Sequence, residues 1–238
     1  MFKNRPQSYT IHIGFFLVLL CSVPLYADIT VGASALFGLG FGTGEGADLA
    51  RAALTETGSV KSLAAGHETW QADLFARLPL NSEFDAIFDI AVGPVAFAVS
   101  GFNDAGKAVE SRSYSYYNMD IAALASYQWK TNEKIILDVA AGLFAGVRVS
   151  DGLVLLRSEG LESRYTVPAE TMSDDKPGIS FGGIIQPCCH VPLGPGFVDA
   201  GIKLFYRFSS VQGFLSDDFI LAQIITPYIF AGYSIRIK

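Results

Sequence analysis

The sequence predicts an all-β fold: a closed, antiparallel, up-and-down transmembrane β-barrel of eight strands. Three observations predict it. Apolar residues alternate with small or polar ones along most of the chain. Half of the 238 residues are hydrophobic and only 17% are charged, whereas a soluble domain usually has about 25% charged residues. After the N-terminal segment, no stretch approaches the roughly 20 uninterrupted apolar residues of a membrane helix.

The N-terminal segment, residues 1–27, is expected to be a secretory signal peptide. Lys3 and Arg5 give it a basic start, and residues 11–20 form a short apolar run. Ala27 is the small residue expected before a cleavage site. The chain is therefore expected to be exported.

Residues 28–238 then form the barrel domain. Two alternatives to cleavage of the signal remain open. An uncleaved membrane anchor needs a longer apolar run than this segment has. Lipidation at Cys21 needs a small residue immediately before the cysteine, and the sequence has Leu20 there.

Eight segments carry the alternation that places apolar side chains on one face of a strand. The first sets branched and aromatic residues against Gly, Ser and Thr, and the next two set Trp, Phe, Ile and Leu against acids and an arginine. The fourth has Tyr117 at one end and Tyr127 and Trp129 at the other. The fifth is the most regular and the sixth the least. The segments cover residues 29–41, 69–78, 84–92, 117–129, 135–149, 179–191, 198–208 and 229–237.

The third segment contains an irregularity. Its apolar residues fall on even positions as far as Val92 and on odd positions at Val95 and Phe97. The switch falls at Gly93-Pro94, and proline has no N–H to give to a β-ladder. We therefore expect a β-bulge at this point.

A secreted soluble barrel such as a lipocalin would show the same alternation, but three features favour lipid outside. The polar face is mostly small residues and Asp, which suits a narrow lumen. Aromatic residues lie near the strand ends, as in the girdles of membrane barrels. Links between the strands alternate in length, which predicts short periplasmic turns, long external loops and two periplasmic termini. The short links are 79–83, 130–133 and 192–196, and the others are 42–66, 100–112, 150–177 and 209–218.

This pattern resembles the small eight-stranded outer-membrane barrels, among them the OmpW family. The last strand carries the sharpest part of the resemblance: Gly232 and Tyr233 are followed at alternate positions by Ile235 and Ile237. The family's assembly signal has aromatic residues where these isoleucines stand, and Lys238 follows them. The resemblance implies an outer-membrane location, with outer-membrane lipid, periplasmic chaperones and the barrel-assembly machinery as partners.

The polar faces of the predicted strands would bring charged side chains into the lumen. Acids and bases nearly balance there, which predicts a network of paired charges, since an isolated buried ion is costly. A network that plugs the barrel and a gate or narrow polar pore both remain open. The expected lumen residues are Asp73, Arg77, Asp85, Asp89, Asp120, Asp138, Arg148, Asp199, Lys203, Arg207 and Arg236.

Two functions remain open. The first is a narrow channel for passive uptake of small hydrophobic solutes, because Phe75, Ile87, Ile136, Phe144, Ile184 and Phe205 would also point inward. The alternative is a non-conducting structural or adhesive surface barrel that meets extracellular ligands through its external loops. Apolar runs at 49–54 and 153–156 lie in those loops, and a hairpin through Ser158-Glu159-Gly160 would raise the strand count to ten. An eight-stranded lumen is too narrow for a general porin.

Other classes have little support in the sequence. The net charge is −6 and no mature segment is basic, so nucleic-acid binding is not expected. His67 has no Ser/acid pattern beside it and His190 falls near a periplasmic turn, so no enzyme is expected. Cys188 and Cys189 would point to opposite faces of one strand, which argues against a bridge between them. Without a CxxC pair or a nearby His/Asp cluster, neither a metal site nor a cofactor is expected.

Overall fold

The computed structural model describes residues 28–43, 62–102, 108–132, 135–150, 152–158, 161–167, 178–210 and 221–237. The expected signal peptide, with Cys21, lies outside the described residues, as do the apolar loop segment 49–54 and Lys238. No described residue belongs to a helix long and apolar enough to cross a membrane.

The described residues form strands throughout. Eight strands pair antiparallel in one ring, which closes through the β1–β11 and β4–β5 pairings. The order around the ring is β1-β3-β4-β5-β6-β9-β10-β11. The predicted eight-stranded closed barrel is therefore confirmed. The strands are β1 (Ile29–Thr43), β2 (Ser62–Ala65), β3 (His67–Pro79), β4 (Phe84–Phe102), β5 (Ala108–Asn132), β6 (Ile135–Arg148), β7 (Gly152–Ser158), β8 (Leu161–Val167), β9 (Ile179–Leu193), β10 (Gly196–Ser210) and β11 (Leu221–Ile237).

The three strands outside the ring extend its external end. β2 continues the line of β3 along β4, and β7 continues the line of β6 along β5. β8 pairs with β7 as far as Ser158↔Leu161, which confirms the predicted hairpin. The predicted link over residues 100–112 is wrong, because β4 and β5 remain paired through most of it. β5 has 25 residues, whereas about 9–11 cross a bilayer, so the extension stands outside the membrane.

The short connections lie together at the opposite end of the barrel, as predicted. Between β3 and β4, the Asn81 side chain accepts hydrogen bonds from the backbone N–H groups of Glu83 and Phe84, both at 2.9 Å. Between β9 and β10, Gly194 adopts a φ of 61°, which a two-residue hairpin with glycine at its first central position requires. We call this the periplasmic end and the other the external end, after the predicted orientation; the periplasmic location of the termini stays a prediction.

The outward face of the ring is apolar, as the alternation predicts. Leu143 is 74% exposed, Ile229 72% and Phe37 67%, although all three lie within strands. Glu68, near the external end, is the one charged outward residue of the described ring strands whose side chains the structure places. Such a surface is stable in lipid and not in water, so the chain is a transmembrane barrel of the outer-membrane type.

Aromatic side chains ring both ends of this apolar surface. At the periplasmic end Tyr127 contacts Phe84 and Trp129, with ring centroids 5.1 and 5.9 Å apart. At the external end Trp70 contacts Tyr117 at 6.2 Å. Aromatic residues at both levels are typical of the lipid interfaces of membrane barrels.

The β-bulge expected at Gly93-Pro94 is absent, so that prediction is wrong. β4 pairs with β5 in one continuous register through both residues, and its register with β3 resumes unchanged in β2. Inward residues stay on odd positions, so Val95 and Phe97 are buried in the lumen at 3% and 1% exposure. The apolar residues change from even to odd positions because the inward-facing residues become apolar at the external end of the lumen. The strand itself keeps the same inward and outward faces. The Thr69 hydroxyl donates to the Pro94 carbonyl where the β3–β4 ladder is interrupted.

A charge placed on the lipid-facing surface should destabilise the barrel according to its depth. Leu143→Arg lies near the middle of β6 and should lower the free energy of unfolding by about 2–4 kcal/mol. Val149→Arg lies at the external end of the same face and should cost at most about 1 kcal/mol. Reversible urea unfolding in lipid vesicles measures both. Equal costs would contradict the assigned membrane depth.

Candidate functional site

The candidate site is the lumen, where the alternate residues of all eight ring strands meet. Its charged side chains lie at three levels that follow the pairing register. One level is near the periplasmic end, one is central and one is towards the external end. An apolar cluster packs among them.

The periplasmic level joins five strands of the ring. Arg77 Nη1 lies 3.1 Å from an oxygen of Asp85 and 2.6 Å from Asp138 Oδ2. His190 Nε2 is 3.2 Å from the same Asp138 oxygen, and its Nδ1 is 2.6 Å from Asp199 Oδ1. The Arg77 and His190 side chains approach to 3.3 Å, although β3 and β9 lie on opposite sides of the ring. This level therefore crosses the full width of the lumen.

The central level is organised by one amine. Lys203 Nζ lies 2.9 Å from Asp73 and pairs also with Asp89. The Lys203 side chain is 1% exposed and those of the two acids 4% and 3%. Ser34 donates a hydrogen bond to Asp73. β10, which carries Lys203, is opposite β4, which carries Asp89, so this pair also spans the diameter.

The level towards the external end is a bidentate ion pair. Arg207 donates from Nη1 and Nη2 to the two oxygens of Asp120, at 2.8 and 2.6 Å. Ser180 and Asn118 complete the pair: Ser180 accepts from Arg207 at 2.7 Å and Asn118 donates to Asp120 at 2.6 Å. A buried bidentate pair between an arginine and a carboxylate is a strong and directional contact.

Apolar side chains fill the space between these levels. Phe144 and Phe205 meet edge to face with centroids 5.2 Å apart, and the Arg207 guanidinium lies 4.6 Å from the Phe144 ring centroid. The cluster comprises Leu36, Ile87, Ala122, Leu124, Ala140, Phe144, Ile184, Cys188, Phe205, Tyr228 and Phe230, with Phe75 packed against it. These are close-packed core contacts, not the lining of an open path.

The external end of the lumen is also filled. Phe97 stacks on Tyr114 with centroids 5.0 Å apart. Tyr116 shares a hydrogen bond with Ser209, and the Arg148 guanidinium lies 4.8 Å from the Tyr116 ring centroid. Side chains from β4, β5, β6 and β10 thus meet above the charged levels.

The structure places most of the expected lumen charges in the ion pairs described above. Arg148 instead lies over Tyr116, as described. Arg236 stands apart: it is exposed at the periplasmic rim, where its guanidinium lies 5.7 Å from the Phe197 ring centroid. His190 is a network member that the sequence analysis did not include, although its position on the inward face of β9 with Cys188 was a usable signal.

The predicted assembly signal lies at the end of β11. Tyr233, Ile235 and Ile237 point outward, while Gly232 pairs with Ser34 and Asp199 in the neighbouring strands. The Tyr233 hydroxyl donates to the Leu193 carbonyl at 2.9 Å. The role of this C-terminal signal in barrel assembly stays a prediction.

A polar cavity of about 280 Å³ opens the lumen at the periplasmic end. His190, Arg77 and Asp85 form its inner side, and Arg236 and Asp28 lie on its wall. Further inside, a space of about 10 Å³ lies between the periplasmic and central levels. That is about the room of one water molecule.

Cys188 is buried in the lumen, whereas Cys189 is on the outward face and half-buried, and both are free thiols. The expectation that no His/Asp cluster lies near them is wrong. The ligand atoms of Asp138, Cys188 and His190 lie within 4.8 Å of one another. Cys188 and His190 share the inward face of β9, and the pairing of β6 with β9 places Asp138 directly opposite Cys188.

No protein-family model matches this chain, and no curated protein matches it. Among solved structures, the chain is similar to Ail, the attachment invasion locus protein of Yersinia pestis, at 11% identity and a TM-score of 0.38, over 87% of this chain and 98% of that one. Neisserial surface protein A is similar at 11% identity and a TM-score of 0.40, over 88% and 97%. Outer membrane protein OprG from Pseudomonas aeruginosa is similar at 8% identity and a TM-score of 0.42, over 89% and 97%.

Removal of one partner from a lumen ion pair should destabilise the barrel far more than removal of a rim charge. Arg207→Met leaves Asp120 buried without its cation and should cost about 3–5 kcal/mol of unfolding free energy. Adding Asp120→Asn should recover part of that loss, with a coupling of about 0.5–3 kcal/mol. Arg236→Met, at the exposed rim, should change stability by less than about 0.5 kcal/mol.

Urea unfolding of the wild type, Arg207→Met, Asp120→Asn and the double variant in detergent micelles gives the complete cycle, and Arg236→Met is measured beside them. Additive effects of Arg207→Met and Asp120→Asn would contradict the pairing. A large effect of Arg236→Met would contradict its placement outside the network.

Proposed function

We propose that this chain is a non-conducting outer-membrane barrel that acts through the part extending beyond its external rim. The observation that carries this proposal is the blocked lumen. Lys203 and Asp89 meet from opposite strands of the ring, as do Arg77 and His190. A solute that passed through would have to separate buried ion pairs, which is costly because each ion would lose its partner in a low-dielectric interior.

The competing prediction is passive uptake of small hydrophobic solutes, which the resemblance to the OmpW family implies. Inward aromatic residues would suit such solutes, but Phe144 and Phe205 contact each other and the ion pair of Arg207. The 280 Å³ cavity of the described lumen lies at the periplasmic end, and the apolar cluster and the stacked Phe97 and Tyr114 rings lie beyond it. These contacts favour the closed barrel over the channel.

The extension supports a role at the external surface. β7 and β8 form a paired hairpin beyond the residues that cross the membrane, and β2 flanks the same extension on the other side of the β4–β5 pair. Leu153, in the hairpin, is 40% exposed. An ordered, strand-built projection presents a fixed surface to extracellular ligands, whereas a simple anchor needs no such structure.

A closed lumen predicts no flux. The wild-type barrel in planar bilayers should show no conductance steps, and liposomes that contain it should take up small hydrophobic solutes no faster than empty liposomes. A general porin reconstituted in parallel supplies the positive control. Discrete conductance steps, or solute uptake above the empty-liposome rate, would favour the channel instead.

Surface labelling tests the orientation in the membrane. In a Cys188→Ser/Cys189→Ser background, Leu153→Cys should react with a membrane-impermeant maleimide on intact cells. Asn81→Cys, in the exposed periplasmic turn, should react only after the outer membrane is permeabilised. The reverse pattern would place the hairpin in the periplasm and remove the proposed function.

A further inference from the structure

We propose that Asp138, Cys188 and His190 bind one borderline-soft divalent cation, such as Zn²⁺, that enters from the periplasmic end of the lumen. A carboxylate, a thiol and an imidazole are the ligand types that zinc takes in proteins. All three residues are buried, and their ligand atoms lie within 4.8 Å of one another.

The distances suit a shared ion after small side-chain movements. A single imidazole nitrogen can bind the ion, and Nε2, which is 3.2 Å from Asp138 Oδ2, is the one that Asp199 leaves available. Cys188 Sγ lies 3.9 Å from the other ring nitrogen, Nδ1. Ligands about 2.0–2.3 Å from a tetrahedral zinc are separated from one another by about 3.3–3.8 Å. Asp199 Oδ1 lies 2.6 Å from Nδ1 of the His190 imidazole, in the way that a carboxylate orients a metal-binding histidine.

Two carboxylate oxygens at this place give a second, independent observation. Asp138 Oδ1 and Asp199 Oδ2 are buried and have no hydrogen-bond partner among the described residues. Buried carboxylate oxygens are normally satisfied, so each is a ligand position that protein contacts do not use. The second Asp138 oxygen, Oδ2, can keep its contacts with Arg77 and Ser126 while Oδ1 meets a cation.

The charge count also favours a cation. Three carboxylates, those of Asp85, Asp138 and Asp199, surround one guanidinium, that of Arg77, at the periplasmic level. Once Cys188 is a thiolate, four negative charges face one guanidinium, and a divalent ion offsets two of the three that remain while His190 is neutral, as a metal ligand must be. On binding, the Cys188 thiol releases its proton to solvent and becomes a thiolate ligand.

The site is reachable from one side. His190 lines the 280 Å³ periplasmic cavity, so an ion in the periplasm can approach the His190 imidazole. Cys188, His190 and Asp199 also line the 10 Å³ space just inside, which is about large enough for one water or ion. The lumen beyond is filled, so the ion is bound and not transported.

The test uses the full mature barrel, folded in detergent micelles and stripped with a chelator. Titration with Cd²⁺ should produce a thiolate-to-metal charge-transfer absorption that saturates at one ion per chain, and elemental analysis should find one Zn²⁺ per chain. Cys188→Ser should abolish the absorption. Asp199→Asn should weaken Zn²⁺ binding by about 10–100-fold through loss of ring orientation.

The chain supplies matched controls. Cys189→Ser removes the neighbouring thiol on the outward face, and His67→Ala removes the histidine at the external end; both should leave binding unchanged. Heat-dependent gel migration verifies that every variant is folded. Absence of stoichiometric binding by the wild-type barrel would overturn the proposal. So would a charge-transfer absorption that survives Cys188→Ser or is lost in Cys189→Ser.

Discussion

A β-strand inside a bilayer has no water to satisfy its backbone N–H and C=O groups, so every strand needs a partner on both sides. In this protein that requirement is met by the pairing of β1 with β11, which joins the two ends of the sheet and leaves the ring without a free edge. Closure fixes which side chains face lipid and which face the lumen. It also forces the inward residues of eight strands into one narrow space.

The narrow lumen explains the buried charges. The interior excludes water, so an isolated Lys203 or Arg207 would be costly, and each is instead paired with carboxylates from distant strands. Because the partners come from non-neighbouring strands of the ring, the ion pairs also link strands that share no backbone hydrogen bonds. The phenylalanine and isoleucine side chains of the apolar cluster fill the remaining volume. The same contacts that stabilise the barrel therefore close it.

The two ends of the molecule differ as a consequence. The external end is filled by Phe97, Tyr114 and Tyr116 and is prolonged by β2 and the β7–β8 hairpin. The periplasmic end is open, polar and lined by His190 and its carboxylate neighbours. A closed wall with an ordered external projection suits recognition at the surface, and a charged cavity with unused ligand atoms suits ion binding from the periplasm. The two proposals thus concern separate parts of one rigid structure.

Sequence by itself determined the strand number, the lipid-facing surface and the identity of most lumen charges, because alternation is a local property that backbone geometry translates directly into faces. It misread Gly93-Pro94, where a change in lumen content looked like a change of face. It also missed the role of His190. Only the tertiary structure decided that Lys203 meets Asp89, that Arg77 meets Asp138, and that Cys188 joins a histidine and a carboxylate. These contacts depend on the register of every strand around the ring, and no single segment of the sequence determines that register.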